Sequence, residues 1–217
     1  MNVLEVKKLD FDKEYPDLEK ISGKLDETAQ KHRISTINWK DYDYKPDVTF
    51  SIAYTDREIL LKYYVTEEYF KAEMTESNQP VSQDSCVEFF VSPEDDGIYY
   101  NIEFNGIGTV LMGTGISRET SIRADKRIIS KIRRITSVGD KPVSERTGTF
   151  TWTMTAAIPF EIFFHHKISD LKGKTFKANF YKCGDKLTVP HYITWNAIGT
   201  QNPDYHQPKY FGLVKFV

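Results

Sequence analysis

The chain has 217 residues, 14% of them aromatic, and its 29 basic and 31 acidic residues leave a formal net charge of −2. This length suits a single domain that buries a sizeable core without disulfide staples. Charges of both signs are interspersed and no apolar run is long enough to span a bilayer, so the sequence predicts neither a nucleic-acid partner nor a membrane partner.

The N-terminus predicts a cytoplasmic protein if Met1 is the native start. Residues Met1–Lys8 have neither the apolar core nor the small-residue cleavage site of a signal peptide. Cys86 and Cys183 are the only cysteines, and their spacing matches no metal-binding pattern. We interpret them as two buried reduced thiols, because free cysteine favours protein interiors. No oligomeric state is predicted.

Short strand patterns separated by turns follow one another along most of the chain. Residues 1–33 are expected to be peripheral, with a short strand at 3–9 and a charged, loosely helical surface segment at Asp17–Arg33 that is interrupted at Ser22-Gly23. Further strands are predicted at Val48–Tyr54, Glu58–Val65, two within Asp84–Asn105, Thr109–Gly115, Ile128–Val138, Thr149–Ile158, Phe176–Cys183, His191–Trp195 and Phe211–Val217, with a loop at Tyr69–Gln83 and one helical turn at Pro159–Phe164. This pattern predicts one all-β domain over residues 1–217, a two-sheet antiparallel β-sandwich of immunoglobulin-like or jelly-roll type with a few short helical turns.

The stretch Asp84–Asn105 is predicted to form two strands joined by an acidic turn. Alternation with period two sorts its side chains onto two faces. Carboxylates, amides and aromatic rings share one of these faces, which suits a polar, ring-shaped ligand. The apolar face holds Val87, Phe89, Val91, Tyr100, Ile102 and Phe104, and the polar face holds Cys86, Glu88, Phe90, Tyr99, Asn101, Glu103 and Asn105.

Two registers of this hairpin satisfy the alternation. One places Glu88 opposite Glu103, and like charges directly across a ladder destabilise unless a cation, a shared proton or a ligand compensates them. A shift by two residues places Glu88 opposite Asn101 and removes the conflict. A solvated strand face with ordinary salt bridges remains the alternative to a ligand site.

Two features outside the hairpin are also candidate sites. Trp195-Asn196 follows a strand and opens a loop rich in Gly, Asn and Pro, where an indole provides a stacking platform; a core tryptophan with one exposed edge is the alternative. The acidic turn Glu94–Gly97 is a possible structural calcium site. It lacks the interleaved ligands of a dedicated loop, so we interpret it as a solvated turn and predict no cofactor.

Four segments together resemble carbohydrate-binding module family 9, and the resemblance extends from about Asn38 to the C-terminus. It is closest to short, stand-alone bacterial members of Bacteroides type. The segments are Asp84–Phe90, Tyr99–Asn105, Trp195-Asn196 and Pro203–Gly212.

The resemblance implies a β-sandwich that binds sugars, with a glutamate bonding the hydroxyls and two tryptophans clamping the ring. By motif the glutamate matches Glu88 and the second tryptophan matches Trp195. The first tryptophan should lie just before Asp84, where this chain has Val81-Ser82-Gln83, so half of the clamp is missing. Tyr99 or Phe90 would then have to replace the lost ring.

These patterns favour a non-catalytic module that binds a mono- or oligosaccharide. Trp195 would stack on the sugar ring, and Lys182 would donate to a hydroxyl. The other predicted contacts are Glu88, Tyr99, Asn101, Glu103 and Asn196. One alternative is a glycoside hydrolase, or an accessory to carbohydrate catabolism, that uses Glu88 and Glu103; another is a protein-interaction domain.

Overall fold

A computed structural model describes residues 1–217 and consists mainly of strands. The strands are β1 Val3–Val6, β2 His32–Arg33, β3 Thr36–Ile37, β4 Asp47–Tyr54, β5 Glu58–Ala72, β6 Cys86–Ser92, β7 Tyr99–Asn105, β8 Val110–Gly115, β9 Ile122–Arg123, β10 Arg133–Thr136, β11 Val143–Pro159, β12 Thr175–Cys183, β13 Tyr192–Thr194 and β14 Gly212–Phe216. The helices are α1 Leu18–Thr28 and α2 Lys126–Ile129, with 3-10 turns at Val81–Gln83, Phe160–Ile162 and Pro208–Tyr210. Neither helix has the length and apolar composition to cross a membrane.

The strands form two sheets that face each other. The large sheet has the order β1-β14-β12-β6-β7-β8-β9, with β13 paired to the end of β12 and β3 paired to β13. The small sheet has the order β10-β11-β5-β4-β2. All neighbours are antiparallel except β1 and β14, which run parallel. The predicted β-sandwich is confirmed.

The main core lies between the two sheets. Phe50 of β4 stacks on Phe180 of β12 at 3.8 Å between ring centroids, and Phe180 stacks in turn on Phe89 of β6. The apolar face predicted for the hairpin lies here, since Val87, Phe89, Val91, Tyr100, Ile102 and Phe104 are all fully buried in this core.

Residues 1–33 supply an edge strand and a packed helix. Leu4 and Val6 of β1 are buried in the main core. Helix α1 runs through Ser22-Gly23 without the predicted interruption and packs Ile21 and Leu25 against the outer face of the small sheet. This packing compensates the roughly 1 kcal/mol by which a glycine weakens a helix interior.

Two further predictions about the elements need correction. Strand β5 continues to Ala72, beyond the predicted start of the loop at Tyr69, because the long β11 provides a pairing partner. The strand predicted at Ile128–Val138 is split into helix α2 and strand β10. Asp125 starts α2 as its N-cap, since its carboxylate accepts from the backbone N–H of Arg127 at 2.8 Å.

A second apolar cluster covers part of the outer face of the large sheet. Strands β6, β7 and β12 direct Cys86, Phe90, Tyr99, Tyr181 and Cys183 to this face. Residues of the C-terminal loop pack over them and close one side of a depression on the sheet. They are Ile198, Tyr205 and Phe211.

Candidate functional site

The central hairpin pairs in the register that places the two glutamates opposite each other. Glu88 of β6 faces Glu103 of β7 directly, while Asn101 faces Phe90. The structure therefore excludes the alternative register. Both carboxylates lie on the outer face of the large sheet and are nearly buried, with 2% of Glu88 and 6% of Glu103 exposed.

The two glutamates form part of the floor of a cavity of about 330 Å³. A volume of roughly 300–1,000 Å³ is usual for small-molecule sites. The lining is mostly polar and comes from β6, β7, β8, β9, β12, β13 and four connecting segments. Its residues are Pro80, Ser82, Glu88, Phe90, Glu103, Leu111, Arg118, Ser121, Arg123, Cys183, Asp185, Tyr192, Pro203, Asp204, Tyr205 and His206.

Hydrogen bonds hold both carboxylates of the floor in place. The Cys183 thiol donates to Glu88 Oε1 at 3.0 Å, and the Cys86 thiol lies 3.9 Å from the same oxygen. Asn101 Nδ2 donates to Glu103 Oε1 at 2.8 Å. Asn101 is itself fully buried and lies two residues from Glu103 on the same face of β7, so it positions Glu103 from the side.

Burial makes these carboxylates weak acids. It raises the pKa of Glu103 to about 7, although the positive charge of Arg123 acts to lower this pKa. Burial also raises the pKa of Glu88 well above its usual range, and the facing Glu103 adds to this shift. Two carboxylates this close favour sharing a proton or bonding hydroxyl donors over carrying two full charges.

The rim of the cavity carries charges of both signs. Arg118, from the loop between β8 and β9, pairs with Asp204 at 2.9 Å. On the opposite side, Ser82 Oγ donates to Asp185 Oδ2 at 2.8 Å. Arg123 completes the positive side. The site therefore combines hydrogen-bond donors and acceptors around one cavity, as a polyhydroxylated ligand requires.

Aromatic side chains provide the apolar part of the lining. Tyr192 is half-buried, and Tyr205 stacks on Tyr181 at 4.0 Å with nearly parallel rings. The predicted contact Tyr99 lies on the same face but behind the lining, where its hydroxyl meets His206 Nδ1 at 2.7 Å. Phe90 and His206 also line the cavity.

Trp195 and Asn196 lie away from this cavity, and their predicted roles there need correction. The Trp195 ring packs edge-on against Phe180 at 5.5 Å inside the main core. Trp195 directly follows β13 and lies two residues after the buried Ile193, so its side chain points to the same face. Asn196 holds the N-terminus instead, with Oδ1 accepting from the backbone N–H of Asn2 at 2.7 Å. The second tryptophan of the family clamp therefore has no counterpart in the lining.

The predicted role of Lys182 as a donor to a sugar hydroxyl also needs correction. It pairs in register with the core residue Val87 and points between the sheets. Its Nζ lies 2.8 Å from Glu67 Oε2 and 2.8 Å from His191 Nε2, and its side chain is fully buried. The lysine is part of an internal ion pair and does not reach the ligand cavity.

The acidic turn at Glu94–Gly97 has protein partners for two of its carboxylates. Asp95 pairs with Lys177 at 2.6 Å, and Asp96 lies 3.2 Å from His166. Asp96 Oδ1 also accepts from the backbone N–H of Ile98. These contacts agree with the interpretation as a solvated turn.

Sequence reasoning missed the two arginines and Asp185 of the site. Arg118 and Arg123 lie in an irregular stretch that carries no strand pattern, so nothing local predicts which sheet face they approach. Asp185 follows β12 in a turn, and only its contact with Ser82 reveals its position. His206 had a detectable signal, since it belongs to the C-terminal segment of the family resemblance.

Comparison with known proteins identifies the family. The model of carbohydrate-binding family 9 matches residues 21–216. No curated protein matches the sequence significantly.

Solved structures agree with this match. A candidate carbohydrate-binding protein from Bacteroides uniformis is 42% identical, with a TM-score of 0.95 and 99% coverage of both chains. Two structures of a family 9 module from Caldicellulosiruptor kristjanssonii, one with glucose and one with cellotriose, have TM-scores of 0.61 and 0.60 at 14% and 13% identity. Their alignments cover 100% and 99% of this chain and 96% and 93% of theirs, and they show the fold. The chain belongs to carbohydrate-binding family 9.

Proposed function

We propose that this protein binds a carbohydrate without hydrolysing it, in the cavity above Glu88 and Glu103. The observation that carries the proposal is the lining itself, which places buried carboxylates, two arginines and aromatic rings around one volume of sugar size. Family membership and the neighbours that hold glucose and cellotriose support it.

The polar lining suits the hydroxyl groups of a sugar. Each hydroxyl both donates and accepts, so it can donate to a glutamate oxygen and accept from a guanidinium. Glu103 and Arg123 are the pair best placed to do this, since Glu103 is held by Asn101 and lies near the Arg123 charge. Hydrogen bonds to charged partners contribute about 1.5–3 kcal/mol each.

Tyr192 is the ring we assign to stacking on the sugar. It lines the cavity and is the lining tyrosine with appreciable exposure, while Tyr205 is only 6% exposed. Tyr192 is held edge-on by Tyr42 at 4.8 Å, which fixes its orientation. A preset ring loses little freedom when the ligand binds.

Binding fits the arrangement of the carboxylates better than hydrolysis does. A glycosidase needs two carboxylates that flank the scissile bond, with a separation of about 5–10 Å and distinct protonation states. Glu88 and Glu103 instead lie side by side on one floor, and burial raises the pKa of both.

Calorimetric titration with a panel of neutral and acidic oligosaccharides tests the proposal. We expect saturable binding that Tyr192→Ala and Glu103→Gln each weaken by about tenfold or more, the equivalent of about 1.4 kcal/mol. Tyr15→Ala is the matched control, because Tyr15 is exposed and lies outside the cavity lining. Unchanged affinity in both cavity variants, or release of sugar from the panel, would contradict the proposal.

A further inference from the structure

Three potential metal ligands converge at one end of the cavity floor. Cys86 and Cys183 are direct partners in the ladder between β6 and β12. Glu88 follows Cys86 by two residues and so shares its face. The two sulfur atoms and a Glu88 carboxylate oxygen all lie within 4.8 Å of one another.

The spacing of these atoms matches a tetrahedral zinc site. With Zn–S near 2.3 Å and Zn–O near 2.1 Å, tetrahedral ligand atoms lie about 3.6–3.8 Å apart. Glu88 Oε1 lies 3.0 Å from Cys183 Sγ and 3.9 Å from Cys86 Sγ. Shifts of less than about 1 Å would therefore bring the set to coordination distance.

The charge around Glu88 also favours a cation. Glu88 is almost fully buried, yet it forms no ion pair. Two cations of this region are used elsewhere, since Arg118 pairs with Asp204 and Lys182 pairs with Glu67 on the opposite face of the sheet, and Arg123 of the lining forms no ion pair with Glu88. A buried carboxylate is costly unless it is neutralised or coordinated.

An ion can reach this position from solvent. Glu88 and Cys183 both line the cavity, so two of the three ligand residues border a volume that is open to solvent. The cavity also leaves room for a water molecule as an additional ligand. Three protein ligands with one open position is a common arrangement for zinc.

We propose that Cys86, Glu88 and Cys183 bind one Zn²⁺ ion, with the fourth coordination position facing the cavity. Thiolates and a carboxylate are suitable zinc ligands, and the thiolates disfavour Ca²⁺ and Mg²⁺. On binding, the two thiols and any protonated Glu88 carboxyl release their protons to solvent, and no electrons are transferred. The spacing of 97 residues between the cysteines hides this site from sequence motifs, because only the β6–β12 pairing brings them together.

Titration of the reduced, metal-free protein with Co²⁺ and then Zn²⁺ tests this site. We expect one equivalent of Co²⁺ to produce a thiolate-to-metal charge-transfer band, and one equivalent of Zn²⁺ to remove it. Cys86→Ser and Cys183→Ser should each weaken binding by more than the roughly 10–100-fold that loss of an outer-shell partner costs. Glu88→Gln should weaken it as well.

Asp95→Asn is the matched control, because this exposed carboxylate in the turn between β6 and β7 lies outside the ligand trio and should leave metal affinity unchanged. The wild-type band requires no variant to fold, so its absence overturns the site by itself. An unchanged affinity in Glu88→Gln, or a Cys86–Cys183 disulfide in the freshly purified protein, also overturns it. None of these results depends on carbohydrate binding.

Discussion

At the scale of single residues, the direction of a side chain decides its role here. Glu88 and Lys182 lie on neighbouring strands of the large sheet, but Glu88 faces the cavity and Lys182 faces the core. Period-two alternation separates them, since Lys182 pairs with Val87 and not with Glu88. By its chemistry, either side chain could bond a sugar hydroxyl. The alternation of side chains along the strands places Glu88 at the cavity and Lys182 in the buried ion pair that stabilises the fold.

Removing Lys182 should leave an uncompensated charge in the core. Lys182→Met isolates Glu67, whose Oε1 accepts from Trp152 Nε1 at 2.7 Å and whose Oε2 loses its ion-pair partner. We expect the free energy of unfolding in urea to fall by about 3–5 kcal/mol, and the added change Glu67→Gln to restore part of it. Lys177→Met, at an exposed pair, should change little. Equal losses in the two single variants would contradict this assignment.

At the scale of elements, regular alternation was predictable and irregular stretches were not. The two faces predicted for the hairpin of β6 and β7 are observed, and one of its two predicted registers is observed as well. The sequence does not predict α1 as one continuous helix, because Ser22-Gly23 has low helix propensity. The packing of Ile21 and Leu25 against the small sheet stabilises the helix, and the local sequence gives no signal for that packing. Trp195 followed a strand pattern as expected, but its burial depends on Phe180 from a different strand.

The glycine in α1 offers a test at this scale. A methyl group at Gly23 would meet no heavy atom within 4 Å. Gly23→Ala should therefore raise the free energy of unfolding by about 0.5–1 kcal/mol, because alanine loses less backbone entropy in a helix. Gly212→Ala is the opposite control, since its methyl group would collide with the Trp195 ring and with the Asn2 carbonyl. An increase in stability for Gly212→Ala, or a decrease for Gly23→Ala, would contradict the packing described for these two elements.

At the scale of the whole molecule, the buried His191 and the half-buried His206 link stability to pH. Burial lowers the pKa of His206 to about 4 and that of His191 well below its usual range. The unfolded chain therefore takes up protons first as pH falls below about 6.5, and the native state loses stability down to about pH 4.

Urea unfolding at several pH values measures this linkage. His206→Gln should reduce the loss of stability between pH 6.5 and 4, by about 1.4 kcal/mol for each unit of pKa difference that it removes. Glutamine can still bond the Tyr99 hydroxyl, so the fold at neutral pH should be preserved. An identical pH slope in the variant and the wild type would contradict the assignment.

Two depressions on the molecule show where the structure differs from the sequence prediction. The cavity above Glu88 and Glu103 lies on the outer face of the large sheet. A second one, beside Trp195 and Asn196, lies against the N-terminal residues Met1 and Asn2. The family motif predicts a single sugar site that includes Glu88 and Trp195. A motif gives the order of residues along the chain, but it does not show to which face of a sheet each side chain points.

Chemical-shift mapping with a bound oligosaccharide tests the location of the site most directly. We predict that the amide signals that move most belong to Arg118, Arg123, Tyr192 and the loop through His206. Perturbations centred on Trp195, Asn196 and Tyr210, with the hairpin signals unmoved, would contradict a carbohydrate site above Glu88 and Glu103.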